Sequence, residues 1–318
     1  MIASLLVQGV QMALVLVLAP LLTGLVRKVK ARLQRRRGPS LIQPYRDLNR
    51  LLGKEVVLAE NASWLFRVAP YVIFAVTWVA AALVPTFATG LLFSWSGDLI
   101  AITALLGSAR FTQALAAMDI GTSFGGIGAS REVMIASLAE PAMLMIALSV
   151  ALVAGSTQLS TIADYMAFSA VGLRVSLALG LVALIIVALA ENARIPVDNP
   201  VTHLELTMVH EAMVLEYSGR HLALIEAASH LKLVLYISLL ICLFAPFGMA
   251  PASAGVTGWL IGLAAWTATL LFGAALLGLW EVSIAKMRVF RLPDFVGIAF
   301  VFGFLAILLA FLTRGVFA

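Results

Sequence analysis

The sequence predicts an all-α polytopic membrane protein of eight transmembrane helices, and three observations carry that prediction. Of its 318 residues, 62% are hydrophobic and only 12% are charged, about half the charge of a soluble domain. Several apolar runs exceed the roughly 18 residues that read as a bilayer span. The basic residues alternate by loop: eleven of the 21 Lys and Arg lie between Arg27 and Arg67, while the stretches near 91–98, 155–171 and 250–255 contain none. Such asymmetry marks the cytoplasmic face of a bilayer, so the pI near 9.7 points to membrane flanks and not to nucleic acid.

Taken in order, the spans are expected at 2–26, 68–90, 99–118, 132–154, 172–191, 231–249, 256–280 and 294–313. The first, IASLLVQGVQMALVLVLAPLLTGLV, has no basic residues before it and no small-residue cleavage site after it. It therefore reads as a retained helix and not as a removed signal peptide. Basic loops follow spans 1, 3, 5 and 7, which places both termini outside and loops 27–67, 119–131, 192–230 and 281–293 in the cytoplasm. Arg314 is then the one cation on the far side. No internal repeat is present, and Pro20, Pro85 and Pro141 do not form the matched broken helices of an inverted-repeat transporter. The expected organisation is one transmembrane domain over 1–318, with a basic, amphipathic loop at 27–67 and an acidic, histidine-bearing loop at 192–230.

The single cysteine, Cys242, excludes an intrachain disulfide and a cysteine-held iron–sulfur or structural zinc site. If the chain works with electrons, another subunit must hold the redox centres. In the first loop, RKVKARLQRRRGPSLIQPYRDLNRLLGKE, the cations from Arg27 to Arg37 suit anionic lipid, each contributing about 1 kcal/mol near the surface. After a Gly38-Pro39 turn, Leu41, Tyr45, Leu48, Leu51 and Leu52 recur at helical spacing. That pattern predicts an interfacial amphipathic helix whose apolar face rests on lipid or covers a crevice.

Ionisable residues within spans are expensive and so are candidates for function. Arg110 and Glu140 fall at similar depth in spans 3 and 4, as either a structural ion pair or a proton-handling pair. Pro141 frees a backbone carbonyl one turn back, which suits a hydrated pocket. Arg131, Glu132, Arg174 and Lys232 are expected at helix ends, where snorkelling satisfies them. Asp98 and Asp294 are expected as helix caps.

The densest titratable stretch is ENARIPVDNPVTHLELTMVHEAMVLEYSGR, residues 191–220, with Glu191, Asp198, Glu205, Glu211, Glu216, His203 and His210. Pro196 and Pro200 exclude regular helix throughout 192–200. From Thr202, an N-cap with Glu205 at capping-box spacing, helix is expected as far as a Gly219 C-cap. A metal site is not expected: there is no HExxH, and the His203–His210 spacing separates the imidazoles by about 10 Å along a helix. Leu, Met and Val at 204, 206, 208, 209, 213, 214 and 215 make this helix too apolar for water. It is expected to pack between the bundle and a cytoplasmic partner, carrying protonatable groups between them.

ENARIPVD with the later EYSG resembles the loop of the membrane subunit shared by respiratory complex I and the group 4 nickel–iron (NiFe) hydrogenases. RRGP followed by QPYRDLNRLLGKE is similar to the first loop of that family. GASREVMIASLAEP keeps the family separation between Arg131 and Glu140. The resemblance runs nearly the full length, and with GIGASRE and HLALIE the chain looks like the hydrogenase branch of that family, known as formate hydrogenlyase subunit 4. Departures from complex I are Val201 and His203 where family acids would follow Asp198, and a longer interval between the retained Glu205 and EYSG. These positions shape the quinone region in complex I, which puts quinone binding in question.

The resemblance implies a multi-pass subunit of a prokaryotic inner membrane, with no catalytic residue and no cofactor of its own. The NiFe centre and Fe–S clusters would sit on partners: hydrogenase large and small subunit-like proteins and a ferredoxin-like Fe–S subunit. Antiporter-like membrane subunits would adjoin it within the bilayer, and no nucleic acid is implied. Glu140, Glu191, Glu205, Glu211, Glu216 and Asp198 become the candidate ion path, with Arg110, Arg131 and Arg194 as counter-charges. Arg37, Gln43, Asp47, Glu55, His203 and His210 become the candidate interface to the redox module. The alternatives are the quinone-site subunit of a complex I-like oxidoreductase and an autonomous ion transporter, the latter disfavoured by the lack of repeats.

Overall fold

The computed structural model describes residues 2–90, 92–168, 174–198, 208–251, 254–288 and 291–317, with side chains from Leu5 to Thr313. Eleven α-helices run through these residues: α1 (Ile2–Leu33), α2 (Gln43–Leu52), α3 (Trp64–Leu83), α4 (Leu99–Asp119), α5 (Ser123–Ala154), α6 (Leu159–Phe168), α7 (Val175–Glu191), α8 (His210–Val214), α9 (Gly219–Phe244), α10 (Gly255–Ser283) and α11 (Leu292–Phe317). Seven of them, α1, α3, α4, α5, α9, α10 and α11, are long and apolar enough to cross a membrane. The eighth expected span is α7, apolar but only 17 residues long, or about 26 Å of helix. The chain is an all-α polytopic membrane protein.

Local chemistry explains most helix ends. α1 continues past its apolar run and ends with Lys30 and Arg32 in its last turn, where cations meet the negative end of the helix dipole. α2 places Pro44 in its first turn, and the Tyr45 hydroxyl bonds the Val17 carbonyl of α1, so α2 lies on α1 as well as on α9. α3 stops at Leu83, short of the expected 90, because Val84 precedes Pro85 and takes an extended conformation. Asp98 caps α4 as expected, its carboxylate accepting from the Ile100 amide at 2.7 Å. Asp294 lies in the first turn of α11. α6, unexpected from the sequence, is a short helix resting on buried Leu159, Ser160, Ile162 and Ala163.

Two boundaries differ in a way that matters. Thr122 caps α5 through the Gly125 amide, so the helix begins well before the apolar run and holds Arg131 and Glu132 inside it. α9 begins at Gly219, which is therefore not a C-cap: the expected helix from Thr202 is represented among the described residues only by the short α8. Lys232 then sits mid-helix and not at an end. Both corrections have one cause, since hydropathy marks where a helix becomes apolar and capping marks where it starts. Arg174 lies at a helix end as expected, as the residue that precedes α7.

α9 is the central helix: 72% of its span is buried, against 22% in α10 and 28% in α11. α3, α1 and α10 pack around it, and α5, α7 and α11 form a second group, joined to the first by α4, which packs on α3, and by α7, which packs on α9. On the side away from the basic loops, β1 (Ala88–Thr89) and β2 (Ala250–Pro251) pair in parallel and tie the α3–α4 and α9–α10 connections together.

Candidate functional site

Arg110 of α4, only 4% exposed, gathers three carboxylates from two other helices. Its Nε lies 3.2 Å from Glu132 Oε1 of α5, and its NH1 lies 3.8 Å from Glu140 Oε1, also of α5. Its NH2 contacts Glu191 Oε1 at the end of α7. Lys232 of α9 donates to the Glu191 carbonyl at 3.2 Å and lies 3.5 Å from Glu191 Oε2. His210 Nδ1 of α8 stands 3.3 Å from Glu132 Oε2. Six side chains from five helices thus meet in one buried cluster.

Isolated charges are costly to remove from water, and mutual pairing offsets that cost. Glu132 and Glu191 are enclosed, whereas the Glu140 side chain is 44% exposed on the lateral face. Gly107 of α4 makes the room for it: a Cβ there would lie 3.3 Å from Glu140 Oε1. Burial pushes the His210 imidazole below its usual range, with Lys232 and Arg110 adding to the shift and Glu132 and Asp198 opposing it. The arrangement can hold protons and pass them between carboxylates that share one guanidinium. Among the described residues no group of three His, Cys, Asp or Glu is placed to hold a metal.

The segment 192–198 runs as a strap from this cluster to α10. Glu281 of α10 accepts from Lys30 of α1 and from Arg194 of the strap, each at 3.1 Å. Trp280 Nε1 donates to the Ile195 carbonyl at 3.2 Å, and the Met287 amide donates to the Pro196 carbonyl at 3.0 Å. Asp198 pairs with Lys286 at 2.8 Å and accepts from the Val209 amide at 3.3 Å. Arg131 NH1 donates to the Met208 carbonyl at 2.7 Å, tying α5 to the entry of α8.

The EYSG motif forms a clasp between the two loops. Ser218 Oγ accepts from the Val57 amide at 2.8 Å and donates to its carbonyl at 2.9 Å. Tyr217 stacks on Phe66 with ring centroids 3.9 Å apart and donates to the Phe66 carbonyl. Gly219 has φ +54° and lies so close to Glu55 that a Cβ would meet its carbonyl oxygen at 2.4 Å. Only glycine satisfies both conditions.

Of the residues singled out in the sequence, Arg110, Glu140, Glu191 and His210 are brought together, while Arg194 and Asp198 anchor the strap. Arg131 holds the chain before α8, Glu211 is half-buried, and Glu216 is exposed. Arg37 and Glu55 are exposed, and Asp47 accepts from Gln43 at 3.0 Å along α2. His203 and Glu205 lie outside the described residues. Sequence reasoning passed over Glu132 and Lys232, which snorkelling does not satisfy, and Lys30, which faces Glu281 and not lipid alone. It also passed over Glu281, although a lone acid closing an apolar helix is the same signal that singled out Arg110.

A family model described as NADH dehydrogenase (NADHdh) matches residues 6–313. The chain belongs to that family. Two NADHdh-like relatives come from Escherichia coli (strain K12). Formate hydrogenlyase subunit 4 is 34% identical over 298 residues, covering 93% of this chain and 95% of that one. Hydrogenase-4 component C is 37% identical over 240 residues, covering 76% and 75%. Among solved structures, the membrane-bound sulfane sulfur reductase (MBS), an archaeal respiratory membrane complex, contains a chain that superposes with a TM-score of 0.81. It covers 97% of this chain and 98% of that one at 19% identity, a likeness of fold.

Proposed function

We propose that this NADHdh-family chain is the membrane-arm subunit of a hydrogenase-type respiratory complex. It anchors a hydrophilic redox module and couples electron transfer there to proton or sodium translocation. The observation that carries this reading is the cluster around Arg110, which joins α8 and the start of the strap to a half-exposed carboxylate at membrane depth. A carboxylate facing hydrocarbon is costly, so Glu140 marks where a neighbouring membrane subunit receives the path.

In this reading the module sits over the basic side of the bundle, on exposed Arg37 and Glu55, on Gln43 and Asp47 of α2, and on the His203-bearing segment. Its NiFe centre and Fe–S clusters belong to hydrogenase large and small subunit-like partners and a ferredoxin-like subunit. Antiporter-like subunits adjoin Glu140 within a prokaryotic inner membrane, and both termini of this chain lie outside. A redox step that moves the strap shifts Glu191 against Arg110 and Lys232. In a low-dielectric site that displacement changes the proton affinities of Glu132 and Glu140.

The test is Glu140→Gln in the assembled complex, reconstituted into vesicles. The expected result is an about 10-fold fall in ions moved per electron, with the partner subunits still co-purifying. An unchanged ratio overturns the reading.

A further inference from the structure

Glu132 Oε2 is buried and has no hydrogen-bond partner. The other oxygen of Glu132 faces Arg110 Nε, and its side chain is 2% exposed. The group opposite the unpartnered oxygen is His210 Nδ1, and the His210 side chain is 23% exposed. Among the described members of the cluster, Glu140 at 44% and His210 at 23% are the most exposed side chains, ahead of Lys232 at 14%, and they belong to different segments: His210 to α8 in the 192–218 connection, Glu140 to α5. The cluster therefore has an outer end that carries an imidazole, a side chain able to accept a proton on one ring nitrogen and donate one from the other.

We propose that His210 is the proton-loading residue of the buried cluster, delivering protons from solvent beside α8 to Glu132. The proposal rests on the coupling reading above. The transfer balances without any other reactant. A proton from bulk water binds Nε2 of the neutral imidazole, and the Nδ1 proton leaves to Glu132 Oε2. Glu132 becomes a neutral acid, the imidazole stays neutral with its proton on Nε2, and a ring flip resets it.

The charges around His210 favour this direction. Arg110 faces it from α4, Glu132 from α5, Lys232 from α9 and Asp198 from the strap; Glu211 is its chain neighbour, and Arg131 of α5 holds the adjoining Met208 carbonyl. Asp198 is matched by Lys286. Within the cluster, Arg110 and Lys232 face Glu132, Glu140 and Glu191, so a proton delivered to Glu132 cancels the excess negative charge among the described residues. The depressed affinity of His210 keeps its ring neutral and able to accept again.

The experiment uses the assembled complex in inverted membrane vesicles, measuring protons taken up per electron. His210→Ala is expected to lower that ratio about 10-fold or more. Free imidazole added to the medium restores it by replacing the missing ring, and fails to restore it when Glu132→Gln is also present. A parent-like ratio in His210→Ala overturns the proposal. So does a lowered ratio that imidazole leaves unchanged, because that is the signature of a structural role. Co-purification of partners reports assembly, and where His210→Ala does not assemble, His210→Gln replaces it. A lowered ratio in His210→Gln that is flat between about pH 5 and 8 supports the proposal, and a ratio tracking the parent overturns it. A parent complex that moves no ions fails the coupling reading itself, a result distinct from a pumping parent matched by its His210 variants.

Discussion

Removing the guanidinium of Arg110 would leave Glu132 and Glu191 buried beside each other with Lys232 as the remaining Lys or Arg side chain of the cluster. Breaking a buried ion pair from one side costs about 3–5 kcal/mol, so Arg110→Gln should lower the thermal midpoint of the detergent-purified protein substantially. Adding Glu191→Gln should recover part of that loss, because the two changes share one interaction; strictly additive effects would argue against the pairing. His210 makes a second prediction at this scale. Its affinity for protons is lower in the folded protein than in the unfolded chain, so the folded state binds fewer protons. The stability this contributes is complete above the unfolded value of about 6.5 and is lost as pH falls below it. The drop in thermal midpoint from neutral to mildly acid pH should therefore be smaller in His210→Gln than in the parent, and equal drops would refute it. Arg110 and Glu140 were legible in the sequence because a charge inside an apolar run stands out. Glu132 and Lys232 were not, because their neighbours in sequence are less apolar and the helices that bury them start earlier than hydropathy indicates.

Among the elements, the clasp between the first loop and α9 is the most exposed to a single change. Ser218→Ala removes both bonds to Val57, at about 1 kcal/mol for each hydrogen bond lost. Gly219→Ala should cost more, since a left-handed residue with a side chain loses about 1–2 kcal/mol before its Cβ meets the Glu55 carbonyl. Limited proteolysis would read both, with new cleavage between residues 54 and 62 in the variants and none in the parent. α2 follows from its own sequence, through apolar residues at helical spacing and a proline in the first turn. Its place against α1 and α9 does not, because lipid and protein offer the same apolar surface to a helix. The strap over 192–198 was legible only as a break in regular helix: its prolines forbid continuation, but its partners Glu281 and Lys286 lie far along the chain.

For the whole molecule, orientation is directly testable because Cys242, the one cysteine, is fully buried and gives little background to a membrane-impermeant thiol reagent. Ser40→Cys, in the exposed basic loop, should label from the cytoplasmic side only, and Thr161→Cys, on α6, from the outer side only. Reversed labelling would overturn the topology. Purified in mild detergent from its native membrane, the chain should co-elute with large and small hydrogenase-like subunits carrying nickel and iron. Elution alone and free of metal would remove the main support for the proposed complex. The sequence by itself determined the class of protein and its set of apolar helices, because hydropathy and charge bias are local properties that act wherever they occur. Only the tertiary structure decided which charges share a site. Arg110, Glu132, Glu191, His210 and Lys232 come from five helices, and in a medium where an unpaired charge is so costly, the partner a packed neighbour supplies determines whether a residue is a surface anchor or part of a buried path.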